Sequence, residues 1–322
     1  MGNDLYKNQE IDDVIRKQKF LKMIRSVLPV IGLVAVCLVF NALTNGSMWT
    51  SRKLILNQVY VVLISSTGVF FIMTMGGLDF SQGSILGIAS IVVCKLSGVN
   101  MVLAVVGGVL AGAAIGAFNG FFYVNRKIKS FIVTICTMFL FRGFIKYMAS
   151  NSPVTASMVV YDYDTTAIKL GITLLVLVIG FILFRFTKFG VYLKSIGAGE
   201  KAAKFAGIRT DKMKFLIYVL AGAITGLAAF VNIVKNGSAT ANVGNQLETQ
   251  ILIALVLGGM PISGGAKVKF ENIVVGSLLY IVLNNGLTMM GLTTQAMQLI
   301  QGVVFLIFVA IFADRQSLSV IK

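Results

Sequence analysis

Ten apolar runs divide this chain, and their continuous character limits what it can fold into. Runs without alternation between apolar and polar residues favour membrane-spanning helices over a β-barrel. The composition agrees, since 57% of the residues are hydrophobic, 12% are charged and the mean hydropathy is +0.88. We therefore expect an all-α polytopic membrane protein with about ten transmembrane segments. The runs cover residues 27–43, 59–75, 84–94, 102–122, 131–141, 170–184, 215–234, 251–257, 273–283 and 302–313.

Several runs are shorter than the ~20 residues that a perpendicular span requires. These runs are expected to extend into flanking polar residues, to tilt, or to form half-helices that turn back inside the protein. The best half-helix candidates are the run that follows Gly83 and the run that precedes Gly258.

The formal net charge of +16 comes from basic residues that lie between the apolar runs and at the termini. This placement indicates membrane topology rather than a nucleic-acid partner. With ten crossings the basic loops share one side, so both termini are expected in the cytoplasm. We divide the chain into a cytoplasmic N-terminal segment (1–26), a transmembrane domain (27–314) with a cytoplasmic segment (185–214), and a cytoplasmic tail (315–322).

The residue inventory excludes several kinds of chemistry. The chain has no histidine, which removes Ser-His triads, histidine proton relays and histidine metal sites. Its cysteines, Cys37, Cys94 and Cys136, sit alone inside predicted spans and are interpreted as apolar packing residues. No metal site is expected.

Two glycine-rich stretches read alike, one at residues 75–84 and the other at 257–266. Four positions recur at an offset of 182 residues: Gly76, Gly77, Ser81 and Gly83 match Gly258, Gly259, Ser263 and Gly265. A helix broken inside lipid must satisfy its backbone within the protein or at a wet cavity, so paired interruptions indicate a translocation path. The match predicts two weakly related halves, although chance glycine matching is an alternative. The glycines expected at the breaks are Gly76, Gly77, Gly83, Gly258, Gly259, Gly264 and Gly265.

A second glycine pattern predicts helix packing. Glycine recurs every fourth residue on the fourth run and twice at the same spacing on the seventh. Such a stripe lets another helix backbone approach closely and specifies no substrate. The residues concerned are Gly108, Gly112, Gly116 and Gly120, with Gly222 and Gly226 forming the shorter version.

Uncharged polar residues and one acid near the spans are candidates for the translocation path. Asp79 lies three residues before Gln82, which predicts a helix N-cap with a reciprocal partner. Alternatively Asp79 fixes the interruption or binds a polar ligand, because ionisable groups in membranes usually have a task. Interhelical hydrogen bonding is the alternative for the polar residues in general. The path candidates are Asp79, Ser81, Asn119, Asn284 and Asn285.

The longest cytoplasmic loop contains a short predicted helix, Glu200 to Ala206, between glycines. A helix held between two spans suits docking on a partner, and a solvated connector is the alternative. The phosphate-binding pattern G-x-x-x-x-G-K-[ST] is missing from the sequence, so ATP would have to be bound by another chain.

Four motifs together resemble the permease subunits of ribose-type ATP-binding cassette (ABC) sugar importers. They are the stretches 75–84, 196–208 and 257–265 and the Asn284-Asn285-Gly286 sequence, and the resemblance runs from about residue 59 to 314. One departure is the stretch 260–262, Met-Pro-Ile, where the family pattern leads us to expect small polar residues.

The resemblance implies a monosaccharide permease in a prokaryotic cell membrane. Its implied partners are a second permease copy or close relative, two cytoplasmic ATP-binding subunits, an extracellular solute-binding protein and membrane lipid. No cofactor is expected on this chain, because ATP and Mg²⁺ belong to the ATPase. The segment resembling the coupling helix comprises Gly199, Glu200, Lys201, Ala202, Ala203, Phe205 and Gly207.

A secondary transporter and an intramembrane hydrolase are the two alternative function classes for such a chain. An ion-coupled secondary transporter would favour several buried acids or an inverted repeat. Here Asp79 is the one acid identified near an apolar run, and the ten-crossing topology makes the repeat parallel. An intramembrane hydrolase would need paired acids, a metal or a histidine, and is disfavoured.

Overall fold

The computed structural model describes residues 27–312, and it confirms the all-α class. The predicted segments 1–26 and 315–322 lie outside the described residues. The helices are α1 (Val27–Leu43), α2 (Ser47–Thr50), α3 (Arg52–Thr74), α4 (Gln82–Ser97), α5 (Met101–Asn125), α6 (Ser130–Met148), α7 (Thr166–Phe186), α8 (Lys188–Ala198), α9 (Glu200–Phe205), α10 (Thr210–Asn236), α11 (Leu247–Leu257), α12 (Asn272–Met289) and α13 (Thr294–Phe312). A 3₁₀ helix covers Met158–Tyr163, and a two-stranded antiparallel sheet joins β1 (Val154–Thr155) to β2 (Ser238–Ala239).

Each of the ten apolar runs coincides with one helix of the described chain. Seven helices are long and apolar enough to cross a membrane, while α4 and α11 are shorter, as is the described part of α1. At 1.5 Å per residue, α4 measures about 24 Å and α11 about 16 Å, against a hydrocarbon core of ~30 Å. The two half-helix candidates are therefore both too short to span the hydrocarbon core alone.

The glycine stretches end α3 and α11 with the same local geometry. Gly76 has a φ of +82° and Gly259 a φ of +90°, a left-handed conformation that costs glycine little. In each case the glycine N–H bonds three residues back and the next N–H bonds five residues back, which is the Schellman motif.

The structural equivalence of Gly76 and Gly259 shifts the repeat by one residue from the offset in the sequence. The same hydrogen-bond pattern also ends helices at Gly207 and Gly291. Because it is a general helix stop, it does not by itself establish two related halves, and that part of the expectation stays a prediction.

Helices α3 and α10 form the centre of the bundle. Phe70, Phe71 and Ile72 of α3 are fully buried, and the ring of Phe70 packs edge-on against Phe184 and Phe270. By contrast, α7 and α13 present Val178 and Leu306 outward, as expected of lipid-facing helices.

The glycine stripe of α5 lies against α10. A Cβ atom placed on Gly112 would come within 2.1 Å of the carbonyl oxygen of Gly222, and one on Gly116 within 2.1 Å of that of Tyr218. The reverse holds for Gly226, whose Cβ would meet the Gly108 carbonyl at 2.2 Å. The backbones of α5 and α10 are thus in direct contact, an approach that any side chain would prevent.

Candidate functional site

The first interruption, residues 76–81, runs from the end of α3 to the start of α4 along the first turns of α6. The Leu78 N–H donates to Ser130 Oγ at 3.3 Å, and the Phe80 N–H donates to Thr134 Oγ1 at 3.2 Å. Backbone groups freed by the break are therefore satisfied by hydroxyls on the neighbouring helix, as a bundle interior requires.

Asp79 organises this segment from a buried position, with 1% of its surface exposed. Its Oδ1 accepts hydrogen bonds from the Ser81 N–H at 2.7 Å and from Ser81 Oγ at 2.6 Å, while Oδ2 accepts from Gln82 Nε2 at 2.7 Å. The N-cap of α4 is Ser81, so the predicted cap position is two residues too early. The carboxylate instead closes a turn before the helix, because the main-chain group that donates to it is the N–H of Ser81, two residues later.

Asn119 and Thr225 connect this turn to α5 and α10. Asn119 Nδ2 donates to Ser81 Oγ at 2.8 Å, and Thr225 Oγ1 donates to Gln82 Oε1. Both residues are fully buried. The structure thus brings together Asp79, Ser81 and Asn119 in a cluster closed to solvent in this conformation; the Asn119 Oδ1 atom has no hydrogen-bond partner within the described chain.

Asn284 and Asn285 belong to a different cluster, near the other end of the bundle. Asn285 and Gln58 exchange two side-chain hydrogen bonds, at 3.0 and 3.3 Å, and Gln301 Nε2 donates to Asn284 Oδ1 at 2.8 Å. Gln58 precedes Thr74 on α3 by 16 residues, or about 24 Å of helix. The five path candidates are therefore split between two sites.

The segment that we call the second interruption is residues 237–246, which link α10 to α11 and descend along α4. It precedes α11, whereas the glycine stretch 257–266 follows that helix. The backbone of Ala239 contacts Cys94, and the carbonyls of Val243 and Gly244 lie against Gly87 and Gly83. A Cβ atom on Gly83 would be 2.2 Å from the Gly244 oxygen. Glycine is required there by close approach.

An ion pair missed by sequence reasoning holds the second interruption. Arg142 of α6 donates to the carbonyls of Val243 at 3.2 Å and Gly244 at 3.0 Å, and its Nη2 lies 3.3 Å from Glu248 Oε2. The side chains of Arg142 and Glu248 are 13% and 9% exposed. Asp79 is therefore not the only buried acid beside an interruption in the described residues. The available signal was an arginine within the apolar α6 sequence, which needs a partner inside a membrane.

The seven glycines expected at the breaks differ in backbone conformation. Gly76, Gly259, Gly264 and Gly265 have positive φ, whereas Gly77, Gly83 and Gly258 do not. Gly83 lies within α4, and a Cβ atom on Gly258 would be 2.0 Å from the carbonyl of Asn272. Close approach, rather than a left-handed turn, accounts for Gly83 and Gly258.

The two glycine stretches meet at one end of the bundle. The Gly265 N–H donates to the Thr74 carbonyl at 3.0 Å, and Gly197 of α8 is packed against the same carbonyl. The loop 258–272 also borders a cavity of about 380 Å³ whose lining includes Arg185, Lys194 and Glu271. The breaks and the α8–α9 segment therefore share this end.

The short helix predicted in the long loop is present as α9, Glu200–Phe205, and ends at Gly207 with a φ of +83°. Ala203 packs inward, whereas Phe205 is 93% exposed. Glu200 forms an ion pair with Lys214 of α10, and Lys204 lies 3.4 Å from Asp211. The helix is thus tied to α10 while its apolar tip faces outward.

Short helices that begin within the bundle of an all-helical membrane protein, as α4 and α11 do, are a feature of membrane transporters. The family model described as "Branched-chain amino acid transport system / permease component" matches residues 52–309, and the chain belongs to this family.

The curated relatives that match this chain are permeases of sugar importers. The ribose import permease protein RbsC of Bacillus subtilis is 30% identical, covering 97% of this chain and 99% of its own. RbsC of Escherichia coli (strain K12) is 29% identical over 81% of this chain and 85% of its own. The L-arabinose ABC transporter permease protein AraH of Azospirillum brasilense is 30% identical over 89% and 88%. No solved structure matches the chain.

These matches confirm the resemblance to ribose-type permeases. The chain is a multi-pass membrane protein and the permease subunit of an ABC importer, a transport subunit without its own ATPase site. The secondary-transporter alternative is not favoured, because the matches are to components of ABC systems.

Proposed function

We propose that this chain forms the translocation path for a monosaccharide, with ribose as the first solute to test. The observation that carries the proposal is similarity to a ribose import permease over nearly the full length of both chains. Other relatives are named for allose, fructose and L-arabinose, so a monosaccharide is their common chemistry. The family description names amino acids, which makes leucine the matched competing solute.

The test is uptake by the assembled importer in proteoliposomes. The permease is reconstituted with the ATPase and binding protein of its own system, and accumulation of labelled ribose, allose, fructose, arabinose and leucine is compared. We expect ATP-dependent accumulation of one of the sugars and none of leucine. Accumulation driven by an ion gradient, with the permease alone, would instead support a secondary transporter.

The proposed assembly contains two permease copies, two cytoplasmic ATP-binding subunits that hold ATP and Mg²⁺, and an extracellular solute-binding protein. We place both termini and the 185–214 segment in the cytoplasm of a prokaryotic cell, within a permease domain covering 27–314. The basic loops support this orientation. Measuring the protease sensitivity of tags at each terminus, in right-side-out and inverted vesicles, tests it.

Helix α9 is proposed to be the contact with the ATPase. Its support is the exposed Phe205 side chain on a helix fastened to α10 through Glu200 and Lys214. A segment tied in this way can transmit movement of a partner to the bundle. The Lys201 and Ala202 side chains, which are also exposed, would border the contact.

The Phe205→Ala variant tests this contact. We expect normal membrane insertion, loss of ATP-driven uptake and loss of binding to the ATPase, since an exposed aromatic anchor often dominates an interface. Met158→Ala is the matched control, because Met158 is 80% exposed in the segment between α6 and α7. Uptake by Phe205→Ala at the control level would refute the assignment.

Asp79, Ser81 and Asn119 are proposed to hold the first interruption in shape beside the path, without touching solute in this conformation. Their burial and mutual hydrogen bonds support this role. Asn284 and Asn285 are proposed to join α12 to α3 and α13. Solute protection of cysteines at positions 81 and 285 against thiol reagents would contradict both roles.

A further inference from the structure

We propose that the second interruption contacts the transported solute through the exposed side chains of Asn242, Asn245, Gln246 and Thr249. This inference deepens the proposed function and rests on it. The ligand class is a small, neutral, polyhydroxylated molecule. None of these four residues belongs to the clusters built around Asp79 or Asn285.

The depth of the second interruption within the bundle follows from the lengths of α4 and α11. Gly244 contacts Gly83, which lies 14 residues, or about 21 Å, from Ser97 at the far end of α4. Helix α11 begins at Leu247 and needs about 16 Å to reach its other end. Laid end to end, these two helical lengths match the ~37 Å of the 25-residue helix α5, which is long enough to cross the membrane. The segment therefore reaches about half depth.

At that depth the segment shows an unusual surface. Asn242, Asn245, Gln246 and Thr249 are exposed, while Val243 and Leu247 between them are buried. Within the described chain, none of the four side chains makes a hydrogen bond. An unpaired amide in hydrocarbon costs on the order of several kcal/mol, so these groups do not face lipid, and in the single chain they are open to water. An open polar surface at half depth is what a translocation path provides.

The chemistry of this surface suits a sugar. Amides and hydroxyls both donate and accept hydrogen bonds, matching the dual character of sugar hydroxyls. The surface carries no net charge, because Glu248 beside it is paired with Arg142. Conduction requires binding that is favourable yet weak enough for release, and neutral hydrogen bonds meet that condition.

The backbone of the segment is held in place from behind. Arg142 bonds two consecutive carbonyls, those of Val243 and Gly244, so the outward residues sit on a fixed support. Gln246 has a φ of +65°, a left-handed conformation uncommon for a residue with a side chain. Such strain persists only where surrounding structure imposes it and clusters at functional sites.

Water access at position 245 is measured by introducing a cysteine there and labelling it in proteoliposomes, with a membrane-impermeant thiosulfonate supplied on both sides of the membrane. Cys37 and Cys136 are replaced by alanine and the buried Cys94 is kept. Asn245→Cys is compared with Val178→Cys, which is also exposed in the single chain but lies on an apolar helix face. We expect at least tenfold faster labelling of Asn245→Cys, slowed by ribose. Equal rates would overturn the inference without bearing on whether the importer moves a sugar.

A second measurement uses variants in the assembled importer. Asn245→Ala combined with Gln246→Gly removes two amides, and glycine accepts the left-handed backbone. Loss of two hydrogen bonds should lower ribose uptake at limiting solute about tenfold. Gln295→Ala, at an exposed amide on α13, is the control. Wild-type uptake by the double variant would refute the inference, whereas failure of the wild-type importer to move any tested sugar would refute the proposed function instead.

Discussion

Each of the two interruptions of this bundle leads into a short helix, but their polar groups are arranged in opposite ways. In the first, Asp79, Ser81 and Gln82 are buried and bonded to one another and to neighbouring helices. In the second, Asn242 and Asn245 are exposed and their side chains make no hydrogen bond within residues 27–312, while the buried charges lie behind them. A break in a membrane helix is therefore not by itself evidence of a lining surface. The partners of its side chains decide that.

The largest effect is expected from removing the acid behind the second interruption. Glu248→Ala leaves Arg142 buried with only carbonyl partners, and breaking a buried pair costs about 3–5 kcal/mol. Reversible unfolding in mixed micelles measures the change. The matched control replaces both members, Arg142→Met with Glu248→Leu, and should recover much of the loss. Wild-type stability of Glu248→Ala would show that the pair does not hold the segment.

A slightly smaller effect is expected at the first interruption. Asp79→Ala removes the acceptor of three hydrogen bonds, and each buried donor left unpaired costs about 1–3 kcal/mol, with relaxation limiting the total to roughly 3 kcal/mol. Asp162→Ala, at an exposed acid, should change stability by less than about 0.5 kcal/mol. If both variants unfold alike in micelles, the buried network is not what stabilises the break.

Gly83 lies at the start of α4, between the two interruptions, and a substitution there tests how closely the second interruption packs on α4. In Gly83→Ala the added Cβ would lie 2.0 Å from Glu248 Oε2 and 2.2 Å from the Gly244 oxygen. Overpacking of this kind costs about 1–3 kcal/mol. Gly98→Ala is the control, since nothing lies within 4 Å of its Cβ position. Equal melting of the two variants would argue against the close approach of the second interruption to α4.

The smallest effect on stability is expected at the exposed polar surface. Asn242→Ala removes no hydrogen bond within the described chain, so the free energy of unfolding should stay within about 0.5 kcal/mol of wild type. The same unfolding assay measures it beside Asp79→Ala. A loss comparable to that of Asp79→Ala would mean that Asn242 is part of a buried interface rather than an open surface.

Local patterns predicted much of the architecture. All ten apolar runs became helices, the short ones at Gly83 and Gly258 were identified, and α9 with its stop at Gly207 was anticipated. These features depend on hydrophobicity and glycine conformation over a few neighbouring residues. The prediction of path residues was less successful. Five polar residues can be picked from the sequence, but the sequence does not show which of them face one another in the fold.

The sequence by itself determined the membrane class, the helices, their stops and, through its motifs, the family. Only the tertiary structure decided that Arg142 pairs with Glu248, 106 residues away, and that Asn245 is open while Asn119 is enclosed. The physical reason is that helix formation depends on neighbours within one or two turns. Solvation of a polar side chain inside a membrane depends instead on which distant helices surround it.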